Sequence, residues 1–154
     1  MEENNENKNI NNPKKQKDKE EIAKAPQNKK SISDNKNDIA IVRISGQVKV
    51  SKDIEDTLYR LKLRRKYACV VVKPTKDVLG MLKKVRFYVA YGPINKETND
   101  KLIKQRGRKD KDGKLKPFFR LHPPRKGIKS KLQYPKGVLG SNKADINKLI
   151  ERML

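Results

Sequence analysis

The sequence is poor in the residues on which catalysis, metal binding and membrane insertion depend. It contains one cysteine, one histidine and no tryptophan. A single cysteine excludes a disulfide within the chain, and without further ligands at suitable spacing no zinc site is expected. The longest purely apolar run, ACVVV at 68–72, is far shorter than the roughly 20 residues that span a bilayer.

The same scarcity bears on the cellular compartment. The first residues show no basic segment followed by an apolar one, so no secretory signal is expected. Cys69 stands inside the apolar run, where a buried structural thiol is the expected state. We therefore expect a protein of the reducing cytoplasm that carries no cofactor.

Cations, by contrast, are abundant and unevenly distributed. The 154-residue chain has a formal net charge of +22, and 38% of its residues are charged against 34% hydrophobic. Such an excess repels itself and indicates a polyanionic partner, with nucleic acid as the first candidate and an anionic membrane as a weaker second. Residues 1–38 hold nine lysines and eight acids, so nearly all of the net charge belongs to residues 39–154.

Residues 1–38 form a polar segment rich in Asn, Lys and Glu. Its scattered single hydrophobes cannot bury enough surface to offset the entropy of ordering, so a disordered tail is expected in isolation. Two interpretations stay open. The segment is either a solvated tail or an arm that partly orders on RNA through Lys14, Lys15, Lys29 and Lys30.

The strands predicted for residues 39–94 indicate a small α+β domain. Apolar, β-branched runs at 39–44 and 68–73 are typical of strands, and a third short strand is expected at 89–94. Helices between these strands give the order β-α-β-α-β. Since two amphipathic helices can cover one face of a three-stranded sheet, we predict that arrangement.

The two helices of this domain follow from apolar residues at helical spacing. They are predicted over 51–63 and 76–90, with Thr75 as the N-terminal cap of the second. Gly80 lies inside the second helix, where a glycine costs about 1 kcal/mol relative to alanine. A close approach by an RNA backbone or by a neighbouring strand would explain it.

Residues 95–140 form a basic extension. A weak helix is expected over 95–105, and from Lys101 to Lys136 there are fourteen lysines or arginines against two acids. Because glycines and prolines interrupt this stretch, we predict an irregular loop that threads along RNA and takes its order from that partner. Phe118 and Phe119 admit two interpretations, as plugs of the core or as platforms for base stacking.

Residues 141–154 predict a C-terminal helix. Asn142 is its expected cap, with Asp145 three residues further on, close to a capping box. Apolar residues recur at helical spacing from Ile146 to Met153. This stripe is expected to pack back onto the domain at residues 39–94.

No catalytic constellation is found in the chain. Acids are sparse beyond residue 56 and form no spaced pair of the kind that hydrolases use. No glycine-rich phosphate loop is present. The one histidine, His122, lacks the neighbours of a metal ligand or a general base and is expected to contact RNA or to pack. We therefore predict that the protein is not an enzyme, and an RNA-modifying enzyme is the weakest alternative.

The predicted RNA-binding residues are cations at the ends of the core elements and along the extension, together with the histidine. Arginine offers a planar fork that matches phosphate, and the crowded charges of the extension would repel one another without counter-charge. The predicted set comprises Arg43, Arg60, Arg64, Arg65, Lys66, Lys83, Lys84, Arg86, Arg106, Arg108, Arg120, His122, Arg125, Lys126, Lys129 and Lys131.

Five motifs in order resemble the large-subunit ribosomal protein thirty family, whose eukaryotic counterpart is called protein seven. Three of them lie in the core: IAIVRISG at 39–46, LKLRR at 61–65, and Pro74-Thr75 leading to GMLKKV at 80–85. The other two are FRLHPPRKG at 119–127 and the ending at 139–154. These two are similar to the archaeal and eukaryotic branch of the family.

This resemblance, which covers residues 39–154, implies a ferredoxin-like β-α-β-α-β fold whose small three-stranded antiparallel sheet has its first strand in the centre. It also implies a place in the large ribosomal subunit, near 5S rRNA, in contact with large-subunit rRNA and neighbouring ribosomal proteins, with a role in assembly and translation. Two departures stand out. Residues 109–114 replace a longer segment, and Leu79 stands where the family usually has arginine. From the residues alone, a free basic nucleic-acid chaperone is the alternative.

Overall fold

A computed structural model describes residues 38–154, so the predicted tail, apart from Asp38, lies outside the described residues. The helices and strands follow from the periodicities of the sequence, with two very short strands added near the C-terminus. In chain order they are β1 (Ile39–Arg43), α1 (Lys52–Arg60), β2 (Ala68–Val72), α2 (Lys76–Val85), β3 (Val89–Pro93), α3 (Lys96–Arg106), β4 (Phe119–Arg120), β5 (Gly140–Ser141) and α4 (Asp145–Glu151).

The sheet is antiparallel at its centre, with β1 as the middle strand. Ile41 of β1 lies opposite Val70 of β2 on one side and Tyr91 of β3 on the other. Beyond these strands, β4 pairs antiparallel with β2 and β5 pairs parallel with β3. The sheet therefore has five strands in the order β4-β2-β1-β3-β5. The prediction of three antiparallel strands is wrong, because the extension supplies both outer strands and the sheet is mixed.

Helices cover both faces of this sheet, because β1 is apolar on both of its sides. Ile41 belongs to the core that α1 and α2 form on one face, together with Leu58 and Leu82. Its neighbour Val42 points the other way, into a core with Leu102 of α3 and Ile150 of α4. The prediction of helices on one face holds for α1 and α2 alone, since α3 and α4 build a second layer.

The helix ends depend on local hydrogen bonds and on the strands that follow. The hydroxyl of Thr75 accepts a hydrogen bond from the N–H of Val78 at 3.3 Å, which confirms the predicted cap of α2. α2 ends at Val85, earlier than predicted, because Val89 is needed in β3 opposite Arg43.

The extension folds back onto the domain at several points. Phe119, Leu121 and Leu139 are buried in the core on the α3–α4 face. The hydroxyl of Tyr134 donates a hydrogen bond to the Asp145 carboxylate at 2.9 Å, and this bond lowers the pKa of Asp145. The extension is thus irregular in secondary structure but anchored by apolar and polar contacts.

The short segment at 109–114 closes a tight hairpin. The N–H of Asp110 donates to the carbonyl of Lys114 at 2.8 Å, and Gly113 adopts a φ of 73°. A positive φ of this kind is natural for glycine. Among the helices within residues 38–154, none is long and apolar enough to cross a membrane.

Candidate nucleic-acid interface

The chain leaves α1 through a well-defined turn. Lys62 has a φ of 62°, and its N–H donates a hydrogen bond to the carbonyl of Tyr59 at 2.9 Å. The N–H of Leu63 donates a hydrogen bond to the carbonyl of Leu58 at 2.8 Å. This pair of bonds is a Schellman ending, with lysine at the position where glycine is usual. The cations that follow, at residues 64–66, therefore start from a fixed backbone.

Arg43 holds the same segment from inside the protein. Its side chain is 1% exposed and donates to the carbonyls of Leu63 and Arg64 at 2.8 and 3.1 Å. It also donates to two carbonyls just beyond β1, both at 2.9 Å. The prediction of Arg43 as an RNA contact is corrected here, because its hydrogen bonds are made within the fold and the side chain does not reach the surface.

The electrostatics of Arg43 agree with this structural role. Burial lowers the pKa of its guanidinium, and the carboxylate of Glu55 partly opposes that shift. An arginine remains protonated in a protein all the same. The buried charge is therefore stabilised by carbonyl dipoles of the backbone.

A groove of about 470 Å³ lies between the α1 exit and the segment around β4. Ala68 of β2 and Arg120 of β4 are cross-strand partners, and both line it. We call it the basic groove. Its lining consists of Lys62, Arg64, Arg65, Lys66, Ala68, Pro117, Phe118, Arg120 and Leu121. Five of these residues are cations and none is a carboxylate, so the groove is suited to an anion.

Aromatic rings support three of the cations around the groove. The guanidinium of Arg64 lies 3.9 Å from the ring centroid of Tyr59, and that of Arg120 lies 5.9 Å from the ring of Phe118. The ammonium group of Lys66 is 4.7 Å from the ring of its neighbour, Tyr67. A ring attracts a cation without neutralising it, so the charge stays available to a ligand.

The basic groove joins predicted residues that are distant in the chain. Arg64, Arg65 and Lys66 meet Arg120, which follows them by more than fifty positions. Lys62 was not among the predicted contacts, although it stands in the same cationic run of the sequence. Its position at the turn of the Schellman ending brings it to the groove.

A second cavity of about 470 Å³, which we call the C-terminal pocket, lies between the extension and the end of α4. Arg152 donates to the carbonyls of Arg125 and Gly127 at 2.8 and 2.6 Å, which fixes the loop at this point. The pocket is lined by Lys126, Ile128, Lys129, Ser130, Pro135, Lys136, Gly137, Val138 and Arg152.

Two cations of the C-terminal pocket were predicted and two were missed. Lys126 and Lys129 belong to the predicted set. Lys136 lies at the end of the fourteen-cation stretch, and membership of that stretch is the sequence feature that would predict it as a binding residue. Arg152 follows α4, and only the folded structure shows that this position returns to the extension.

The remaining predicted residues line neither cavity. Arg106 is half-buried, and one of its terminal nitrogens donates to the main-chain oxygen of Leu154. The others are exposed cations on α1, α2 and the extension, together with the exposed histidine: Arg60, Lys83, Lys84, Arg86, Arg108, His122, Arg125 and Lys131. In the part of the chain that the structure describes, no group of three or more His, Cys, Asp or Glu could hold a metal ion.

Comparison with known proteins matches this chain to one family. The profile of the family described as Ribosomal protein L30p/L7e matches residues 39–89. Large ribosomal subunit protein uL30 of Archaeoglobus fulgidus is 40% identical over 149 residues, which covers 74% of this chain and 98% of that protein. The chain belongs to this family. The uL30 proteins of Methanococcus maripaludis and Methanoculleus marisnigri are 36% and 35% identical, over 75% and 74% of this chain and 98% of each relative.

Membership of the L30p/L7e family makes the chain a ribosomal protein and not an enzyme. The relatives are archaeal, in keeping with the archaeal and eukaryotic character of the two C-terminal motifs. The alignment with the Archaeoglobus protein has 149 positions, but only 74% of the 154 residues of this chain take part in it. The Archaeoglobus protein therefore carries residues that this chain lacks. We expect them at the tight hairpin of residues 109–114.

Proposed function

We propose that the chain is a structural constituent of the large ribosomal subunit that binds large-subunit rRNA near 5S rRNA and supports assembly and translation in the cytoplasm. The observation that carries the proposal is the basic groove, where cations from two distant segments converge without a carboxylate in the lining. The names of the relatives, each a large ribosomal subunit protein, support the same setting.

The proposed contacts are mainly to the RNA backbone. The major groove of an A-form helix is too narrow for side chains to read bases, so shape and phosphate positions dominate recognition. The groove cations and the exposed members of the predicted set supply the positive charge. Affinity should then fall steeply with salt, since each neutralised phosphate releases counterions. Neighbouring ribosomal proteins are the further partners that we propose.

Sedimentation tests this proposal against that of a free nucleic-acid chaperone. A tagged copy of the full chain is expressed in cells, and the lysate is washed at a moderate salt concentration that removes loosely bound basic proteins before separation on a sucrose gradient. We expect the protein at one copy per large subunit. Complete release, with an even distribution over RNA and DNA, would favour the chaperone.

Crosslinking tests the finer statement about location. Ultraviolet crosslinking of the tagged chain in purified large subunits, followed by sequencing of the attached RNA, should recover large-subunit rRNA together with segments next to 5S rRNA. If the crosslinked RNA comes only from large-subunit rRNA regions distant from 5S rRNA, the proposed location is wrong, but the assignment to the large subunit still holds.

A further inference from the structure

The basic groove has a property that backbone contacts do not require. Cations on an open surface are sufficient to bind the phosphates of paired RNA. Here four apolar residues, among them Ala68 and Phe118, line a cavity of about 470 Å³ beside the five cations. This volume falls within the range of about 300–1,000 Å³ that is usual for sites of small organic ligands.

Phe118 and Phe119 have different environments although they are adjacent. Neighbouring residues of an extended chain point to opposite faces of a sheet. Phe119 is 5% exposed and packs with Cys69 in the core on the α3–α4 face. Phe118 packs only partly against the α1–α2 core and lines the groove next to Arg120. Phe119 is thus a core residue, whereas part of the Phe118 ring is exposed to the groove.

We propose that the basic groove receives one unpaired nucleotide of the bound RNA, with its base stacked on Phe118. The phosphates on either side of this nucleotide would lie on the cations of the two walls, which include Arg64 on one side and Arg120 on the other. This inference rests on the proposed function, because it specifies the form of RNA that the groove binds.

An unpaired nucleotide matches the groove better than other anions do. It combines a flat aromatic base with a charged backbone, as the groove combines an aromatic ring with five cations. Proteins commonly recognise RNA at bulges and loops, where a base leaves the helix and stacks on an aromatic side chain. The carboxylates of an acidic peptide would satisfy the cations but offer no aromatic surface to Phe118.

Two short RNA hairpins test the proposal with the full chain. They are identical except that one carries a single bulged 2-aminopurine nucleotide, whose fluorescence falls when its base is stacked. We expect tighter binding of the bulged hairpin and quenching of its fluorescence. Phe118→Ala should weaken binding of the bulged hairpin by roughly 5- to 150-fold, the usual effect of removing one stacking contact. Binding of the paired hairpin should not change.

Two conservative variants separate stacking from folding. Phe118→Tyr keeps an aromatic ring and should bind the bulged hairpin as the unmodified protein does. Phe118→Leu keeps the apolar contact with the α1–α2 core but offers no ring, so it should behave like Phe118→Ala. Thermal unfolding followed by circular dichroism verifies that each variant is folded.

The possible results distinguish the two proposals. If the unmodified protein binds both hairpins equally and Phe118→Leu has no effect, the nucleotide site is rejected while rRNA binding stands. If the protein binds neither hairpin at low salt, the proposed function is rejected as well. If polyglutamate displaces the bulged hairpin more effectively than unlabelled bulged RNA does, the groove is a protein-binding site and the nucleotide proposal is overturned.

Discussion

Arg43 donates four hydrogen bonds inside the protein, two of them to the segment that leaves α1. That segment forms one wall of the basic groove. A buried arginine therefore helps to hold Arg64 and its neighbours in position. The periodicity of β1 shows that position 43 faces the α1–α2 side of the sheet, but a cation there is equally compatible with an RNA contact.

Arg43→Met should lower the free energy of unfolding by about 2–4 kcal/mol, because buried carbonyls would lose donors that belong to a charged group. Urea unfolding measures this change. Arg65→Met is the matched control, since Arg65 is an exposed arginine of the same segment, and it should change stability by less than about 0.5 kcal/mol. Equal effects of the two substitutions would contradict the structural role of Arg43.

Cys69 provides a prediction about pH. Burial raises the pKa of its thiol from 9.0 to about 12. Above pH 9 the unfolded chain loses this proton while the folded chain keeps it, so the stability linked to the neutral thiol is complete below pH 9 and declines as pH rises toward 12. At pH 8.5, iodoacetamide should leave Cys69 unmodified in the native protein and alkylate it in urea, as mass spectrometry would show. Equal rates in the two conditions would show that the thiol is accessible.

At the scale of elements, the sequence predicts what is periodic and misses what is short. β1, α1, β2, α2 and β3 were predicted in order because each repeats its apolar residues over several positions. β4 and β5 have two residues each, too few for any period. Since β4 brings Arg120 to the edge of β2, the basic groove could not be predicted even though four of its five cations were.

Gly92 and Gly80 form a matched pair within these elements. A Cβ at Gly92 would overlap the main-chain oxygen of Lys143 and lie 3.1 Å from Cγ2 of Ile146, because α4 approaches β3 closely there. Gly92→Ala should therefore destabilise the protein by about 1–3 kcal/mol. At Gly80 no heavy atom lies within 4 Å of the added Cβ, so Gly80→Ala should stabilise α2 by about 1 kcal/mol.

Thermal unfolding of the two variants measures these opposite effects. Stabilisation by Gly92→Ala would contradict the close approach of α4, and destabilisation by Gly80→Ala would contradict the open space found around Gly80. Because no strand of the described chain approaches Gly80, the neighbouring-strand explanation of this glycine is excluded. The close approach of an RNA backbone to Gly80 stays a proposal. Reduced incorporation of the stabilised Gly80→Ala protein into large subunits would support it.

At the scale of the whole molecule, charge and fold are separable. The exposed side chains of Arg120, Arg125 and Lys126 carry charge, while backbone hydrogen bonds hold their segment to the domain. The N–H of Leu121 donates to the carbonyl of Tyr67 at 3.0 Å, and that of Arg125 to the carbonyl of Arg152 at 2.9 Å. Substitution of the three cations should thus alter binding and leave the fold intact.

Reversal of Arg120, Arg125 and Lys126 to glutamate should impair incorporation into large subunits and flatten the salt dependence of RNA binding. The circular dichroism spectrum should remain that of the unmodified protein. A control that reverses Lys52, Lys76 and Lys96 changes net charge equally at exposed positions outside the predicted set. Equal loss of incorporation with both variants would show that only total charge matters. Normal incorporation of the Arg120, Arg125 and Lys126 variant would show that these cations of the extension are not part of the binding surface.

The two outer strands also have a consequence for the protein before it meets any RNA. The free edge of a β-sheet is a template on which other chains can pair and aggregate, and very short edge strands are one natural protection. Here β4 and β5 cover the outer edges of β2 and β3 with two residues each. Both come late in the chain, so during synthesis these edges stay open until residues 119–141 have left the ribosome. A basic extension whose charge suits RNA therefore also covers part of both edges, which should limit self-association of the newly made protein.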